Sequence, residues 1–132
     1  MAFINRNPDY KDLDLDFLAH PTTKDIVKKT GEDSIKRAVR NLVLTNFYER
    51  PFRPWIGSNA QKLLFDNITP MTANFLTDAI REVIRNYEPR VEVLSVTVSA
   101  DPDNNGYNAR IDFIIINRQE PASFNLFLER IR

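Results

Sequence analysis

Apolar positions recur along the chain first with a period of two, then with the period of a helix, then with a period of two again. Leu13, Leu15 and Phe17 alternate with Asp12, Asp14 and Asp16, which places the apolar groups on one face of an extended segment. Residues 1–30 therefore read as an extended arm laid across this domain or a neighbour, and residues 31–132 as a single domain. Thr30-Gly-Glu-Asp33 fits a capping box, and Ile35, Ala38, Val39, Leu42 and Val43 follow at helical spacing. Residues 46–57 hold two prolines and four aromatics, so they predict a loop packed on the core. Ser58-Asn-Ala-Gln61 is a second capping-box candidate, opening a short helix through Leu63, Leu64 and Phe65.

Thr69-Pro70 sets a hydroxyl at an N-cap and a proline at the first helical position, where its missing amide costs nothing. The helix is expected to run to about Tyr87, with Leu76, Ile80, Val83 and Tyr87 on one side. Arg81 and Arg85 face out, each within a turn of Asp78 or Glu82. Pro89 ends it, because the residue before a proline is pushed out of the helical region. Three strands follow. Leu94, Val96 and Val98 share one face, and Tyr107, Ala109, Ile111, Phe113 and Ile115 another, until Ile114 and Ile116 make both faces apolar. Phe124, Leu126 and Leu128 form the last. Turn clusters at Asp101–Gly106 and Arg118–Pro121 imply an antiparallel meander. The fold class is α+β: two main helices and a short one packed on a C-terminal three-stranded meander.

Composition narrows the chemistry. The 132 residues suit one domain, and 18 basic against 18 acidic side chains give a net charge of zero. That balance speaks against a dedicated nucleic-acid or membrane-surface binder. With no cysteine and one histidine, His20, there is no thiolate chemistry, no Cys-ligated zinc and little material for a triad, so no cofactor is expected. Met1-Ala-Phe-Ile-Asn-Arg lacks a signal-peptide pattern, no run reaches membrane-spanning length, and a reducing cytoplasm is the expected place of synthesis. The Asp-x-Asp-x-Asp run fails as a calcium loop, with Phe17 where glycine and Thr23 where glutamate belong. Charge is uneven: residues 24–53 sum to +4, and residues 1–20 and 91–132 to −2 each. The basic face of Lys36, Arg37 and Arg40 reads as a solvated face or a contact for a partner.

Glu88-Pro89-Arg90 is the sequence's oddest feature. A carboxylate at a helix C-terminus faces the negative end of the macrodipole, so Glu88 is not there for the helix's sake. Two residues apart across a proline, the acid and the arginine fork can point the same way, suited to bidentate pairing with a partner or with another segment of the fold. A plain helix stop with incidental charges is the alternative.

Ser34-Ile35 opening a helix, Thr45 at its end, Glu49-Arg50-Pro51, Gly57, Leu64-Phe65 and Tyr87-Glu88-Pro89-Arg90 before Val-x-Val together resemble the phage-tail baseplate wedge family, which includes a type VI secretion baseplate subunit. One departure is Tyr48, where that family usually has glycine, so the turn there is expected to be shaped differently. The resemblance implies a structural protein of a contractile-tail baseplate in the virion, assembled in the host cytoplasm beside tail tube and hub proteins. Its strands would resemble the interlocking part of the tail sheath and seed sheath assembly by strand complementation. It also implies that Glu88, Pro89 and Arg90 contact the helical bundle at the wedge core. Arg50 joins them as a partner-binding candidate, supporting its loop from inside by pairing with an acid. Ile114, Ile116, Phe127 and Ile131 are the candidates for contact along the strand edge. No direct nucleic-acid binding or membrane insertion is expected.

The family has also carried a lysozyme label. Glycoside cleavage generally needs two carboxylates roughly 5–10 Å apart, one held protonated by an apolar setting. Glu88 and Glu49 each stand beside an arginine, which would depress the pKa of an acid. The expected class is therefore not an enzyme, with peptidoglycan cleavage the runner-up and nucleic-acid binding through the basic middle the third.

Overall fold

The computed structural model describes residues 11–13, 16, 18–25, 28–116, 118 and 121–130, and these fall into two compact units that divide between Arg37 and Ala38. In the first, β1 (Lys11–Leu13) pairs antiparallel with β2 (Lys28–Thr30), and α1 (Gly31–Leu44) begins directly afterwards. Gly31 has φ 62, a left-handed entry that glycine takes without steric cost. The His20 imidazole accepts the amides of Thr22 and Thr23 through Nδ1, at 3.2 and 3.3 Å, which closes a turn between the strands. The Ser34 hydroxyl donates to Asp12 at 2.8 Å, and Arg37 pairs with Asp16 at 2.6 Å. Asp12 and Asp16 thus bond within this unit. Asp14, Leu15, Phe17 and the Thr30 side chain, on which the alternation and the first capping box depend, lie outside the described residues.

The second unit holds the short helix α2 (Ala60–Leu63), the long α3 (Pro70–Tyr87) and a sheet of β3 (Val91–Asp101), β4 (Gly106–Ile115) and β5 (Pro121–Glu129) in the order β3-β4-β5. The sheet is the antiparallel meander expected from its short connections. Thr69 caps α3 through the Thr72 amide at 3.1 Å, with Pro70 at its first position. Leu76, Ile80, Val83 and Ile84 of α3 are buried together with Val91, Val96, Tyr107, Ile111, Phe113, Ile115, Leu126 and Leu128 of the sheet, and α3 packs along β3. Phe113 and Phe124 meet edge to face across neighbouring strands, centroids 6.1 Å apart.

Three sequence expectations change here. Leu94 does not share the inner face with Val96: it is the extra residue of a bulge, since Val93 pairs with Phe113 and Ser95 with Asp112, and Leu94 is 53% exposed. The outer face is mainly polar, carrying Ser95, Thr97, Asn108, Arg110 and Asp112, with Ile114 an exception. The second capping box does not form. Ser58 donates to the Val43 carbonyl at 2.6 Å and Gln61 to that of Leu44 at 2.9 Å. Both side chains therefore satisfy orphan carbonyls at the end of α1. The Ser58 hydroxyl also accepts the Ala60 amide at 3.3 Å, but the Ser58 amide donates to Thr45 and not to Gln61, so the reciprocal half of the box is missing.

Candidate functional site

The joint between α3 and β3 is built by Glu88-Pro89-Arg90. The Glu88 amide still donates to Ile84 at 2.9 Å, but its backbone is already extended (φ −120, ψ 87), as the following proline requires. Its side chain turns inward and is only 7% exposed. There the carboxylate is gripped by Arg90, Nε donating to Oε1 at 2.7 Å and Nη2 to Oε2 at 2.9 Å. The bidentate pairing expected from the motif therefore occurs within the motif, rather than leaving both forks open to a partner. The Arg90 carbonyl accepts the Ile116 amide at 3.1 Å, tying the start of β3 to the end of β4. Pro89 remains exposed between the paired charges.

Beside this joint lies an open groove of about 440 Å³. Pro89, Val93 and Ile116 supply its apolar lining, Arg81 and Arg85 a cationic wall and Glu92 an acidic one. The arginines face solvent as expected, but no ion pair within 4.0 Å links them to Asp78, Glu82 or another described residue. Neither arginine was singled out from sequence as a site residue. The available signal was their spacing, since Arg81 is the residue four positions before Arg85, a repulsive pair on a helix.

The other candidates are scattered. Ile116 belongs to the groove. Ile114 is corrected: it sits in the central strand, paired with Glu92 on one side and Pro121 on the other, so it has no free edge. Phe127 lies on β5, which with β3 forms the two outer edges of the sheet, and Ile131 falls outside the described residues. Arg50 is exposed and forms no ion pair with a described residue, so it does not brace its loop from inside. The loop is braced instead by Glu49, whose carboxylate accepts the Asn46 amide at 2.8 Å, and by the Tyr87 hydroxyl, which donates to the Trp55 carbonyl at 2.8 Å. Tyr48 takes φ 67, so the turn keeps a left-handed conformation that glycine would favour, with a tyrosine in it. Among the described residues no group of three His, Asp or Glu side chains is placed to hold a metal ion, and no helix is long and apolar enough to cross a membrane.

The family described as baseplate wedge protein gp25 matches residues 29–120 of this chain. The baseplate wedge protein gp25 of Enterobacteria phage T4 is 33% identical over 116 residues, 88% of this chain and 87% of that protein. The chain belongs to the gp25 family of baseplate wedge proteins. As a member it is a structural component of the baseplate wedge of a contractile tail. Solved structures share the gp25-type fold. A chain of the anti-feeding prophage baseplate superposes with a TM-score of 0.64 at 18% identity, covering 94% of this chain and 88% of its own. A candidate tail lysozyme from Geobacter sulfurreducens gives 0.71 at 22% identity, covering 76% and 92%. A chain of the type VI secretion baseplate complex gives 0.58 at 16%, covering 73% and 92%. At these identities the likeness is one of fold, and the lysozyme description stays with that protein.

Proposed function

We propose that this gp25-family chain docks on the helical bundle at the wedge core through Pro89 and the groove beside it, and that the outer edge of β5 accepts a strand from the first ring of tail sheath. The observation that carries the docking half is the buried Glu88–Arg90 fork, which holds Pro89 rigid at the rim of an apolar groove with a cationic wall. An amphipathic helix with an apolar stripe and acidic flanks is complementary to it. Glu88 and Arg90 shape the docking surface, while Pro89, Ile116, Arg81 and Arg85 meet the partner. The strand half rests on two outer edges that pair with no other described strand, and on Phe127 exposed along one of them. Assembly takes place in the host cytoplasm on this reading, with tube and hub proteins as neighbours. Hydrolysis has no support in the site: the Glu88 carboxylate is occupied by Arg90 and that of Glu49 by a backbone amide.

The test is co-purification with the proteins encoded beside this one, comparing wild type, R81E/R85E and E88A/R90A. Loss of the complex in R81E/R85E, with circular dichroism unchanged, is the expected result, since both arginines are exposed and bond no described residue. Full retention by both variants would remove the docking surface. Hydrogen exchange addresses the edge: β5 amides slow in the free chain along their outward side would contradict strand addition.

A further inference from the structure

The loop between α1 and α2 carries a feature that the wedge docking does not use. Its neck is shut by the Asn46–Ser58 bridge and by the Ser58 amide donating to Thr45 at 2.8 Å. The Tyr48 amide donates to the Pro54 carbonyl at 2.7 Å and closes the tip. Gly57 is forced at the neck, because a Cβ there would stand 2.5 Å from the Asn46 backbone. The backbone is therefore tied at several points, yet its aromatic side chains are not buried: Tyr48 is 85%, Phe52 93% and Trp55 60% exposed. Loops of this compact form, with touching ends and a residue held at positive φ, are places where strain is retained for function.

Phe47, Tyr48, Pro54 and Trp55, with Tyr87 from α3, wall an open groove of about 690 Å³, and Lys62 and Asn59 stand at its margin. Arg50 and Arg53 are exposed on the loop between Tyr48 and Pro54, and neither they nor Lys62 pair with a described acid. The nearby Glu49 carboxylate, which accepts the Asn46 amide, is outnumbered by these three cations, so the local balance is cationic. We propose that this groove is a second docking site, distinct from the Pro89 groove, which takes an extended, acidic, proline-containing segment of another polypeptide. Aromatic faces held apart by a rigid backbone stack on proline rings without an ordering cost of their own. The three cations select acidic flanks. A nucleic acid fits less well, because three cations on a chain of zero net charge do not track a phosphate backbone.

Trp55 is the sole tryptophan, so its emission reports on this groove alone. The probe is a short synthetic peptide of repeating Asp-Leu-Pro units, set against the same peptide with lysine for aspartate and against oligothymidine. A saturable blue shift with the acidic peptide, weakened about tenfold by R50E/R53E and by Tyr48→Ser, is the expected result. Circular dichroism checks that these variants stay folded, and E88A/R90A should leave the shift unchanged. No response to the acidic peptide up to millimolar concentration, an equal response to the lysine peptide, or preference for oligothymidine would each overturn the proposal.

Discussion

Glu88 and Arg90 lend themselves to a double-mutant cycle, because the structure makes their bond the hinge between helix and sheet. The Glu88 side chain is 7% exposed and that of Arg90 23%, so the pair lies between two limits. An exposed ion pair contributes about 0–1 kcal/mol, and breaking a fully buried one costs about 3–5 kcal/mol. Glu88→Gln keeps the volume and one acceptor, but sets an amide against a guanidinium donor, so we expect a loss of about 2 kcal/mol. Arg90→Met leaves a nearly buried carboxylate without its fork and should cost about 2–3 kcal/mol. The double variant removes both halves, and its loss should fall short of the sum of the single losses by about 2 kcal/mol. The cycle is the right instrument, because any other contact of Arg90 is lost on both of its sides and cancels. Urea denaturation gives the four stabilities, and each kcal/mol should appear as a shift of roughly 3–6 °C in Tm. A coupling under about 0.5 kcal/mol would refute the view that this pair sets the geometry of Pro89.

Other consequences can be checked on the purified chain. Tyr48→Gly should be neutral to stabilising by up to about 1 kcal/mol, because relief of left-handed strain of about 1–2 kcal/mol outweighs glycine's backbone entropy and little packing is lost; the denaturation midpoint reads it. Leu94→Ser should change stability by under about 0.5 kcal/mol, whereas Val96→Ala two positions away should cost roughly 1.5–3 kcal/mol; thermal melts distinguish the bulge from an inward-facing Leu94. Asp112 is held below the ordinary carboxylate value by the Ser95 hydroxyl and then by Arg110, and Asp101 by the Asn104 side chain and then by the Asn104 backbone amide and Asn108. A lowered folded pKa means that their contribution is complete above the unfolded value, about 3.9, and is lost as pH falls through the folded one. Tm should therefore decline below about pH 4, and Ser95→Ala or Asn104→Ala should make that decline shallower.

Periodicity and proline chemistry are local, and they were legible. Thr69-Pro70 and Pro89 bound α3 because a cap and a missing amide act within one turn of the backbone. The alternation from Tyr107 to Ile115 defined a buried face because side chains on a strand must alternate. The resemblance carried by Tyr87-Glu88-Pro89-Arg90 and its spaced companions pointed to the family that the comparisons show.

What the sequence could not decide were choices between partners that are close in space and distant or equivalent in the chain. Ser58 and Gln61 looked like a reciprocal cap for α2, but the orphan carbonyls of Val43 and Leu44 took their donors, and Ser58 keeps just a longer bond to the Ala60 amide. Leu94 fitted its strand's alternation until β4 supplied one residue fewer than β3 and expelled it. Ile114 looked like an edge residue because nothing in its own strand says that two others will flank it. Glu88 and Arg90 were readable as a matched pair, but not as a pair already closed. Whether two forks face outward or grip each other depends on the burial that α3 and the sheet impose together, and that is a property of the packed structure.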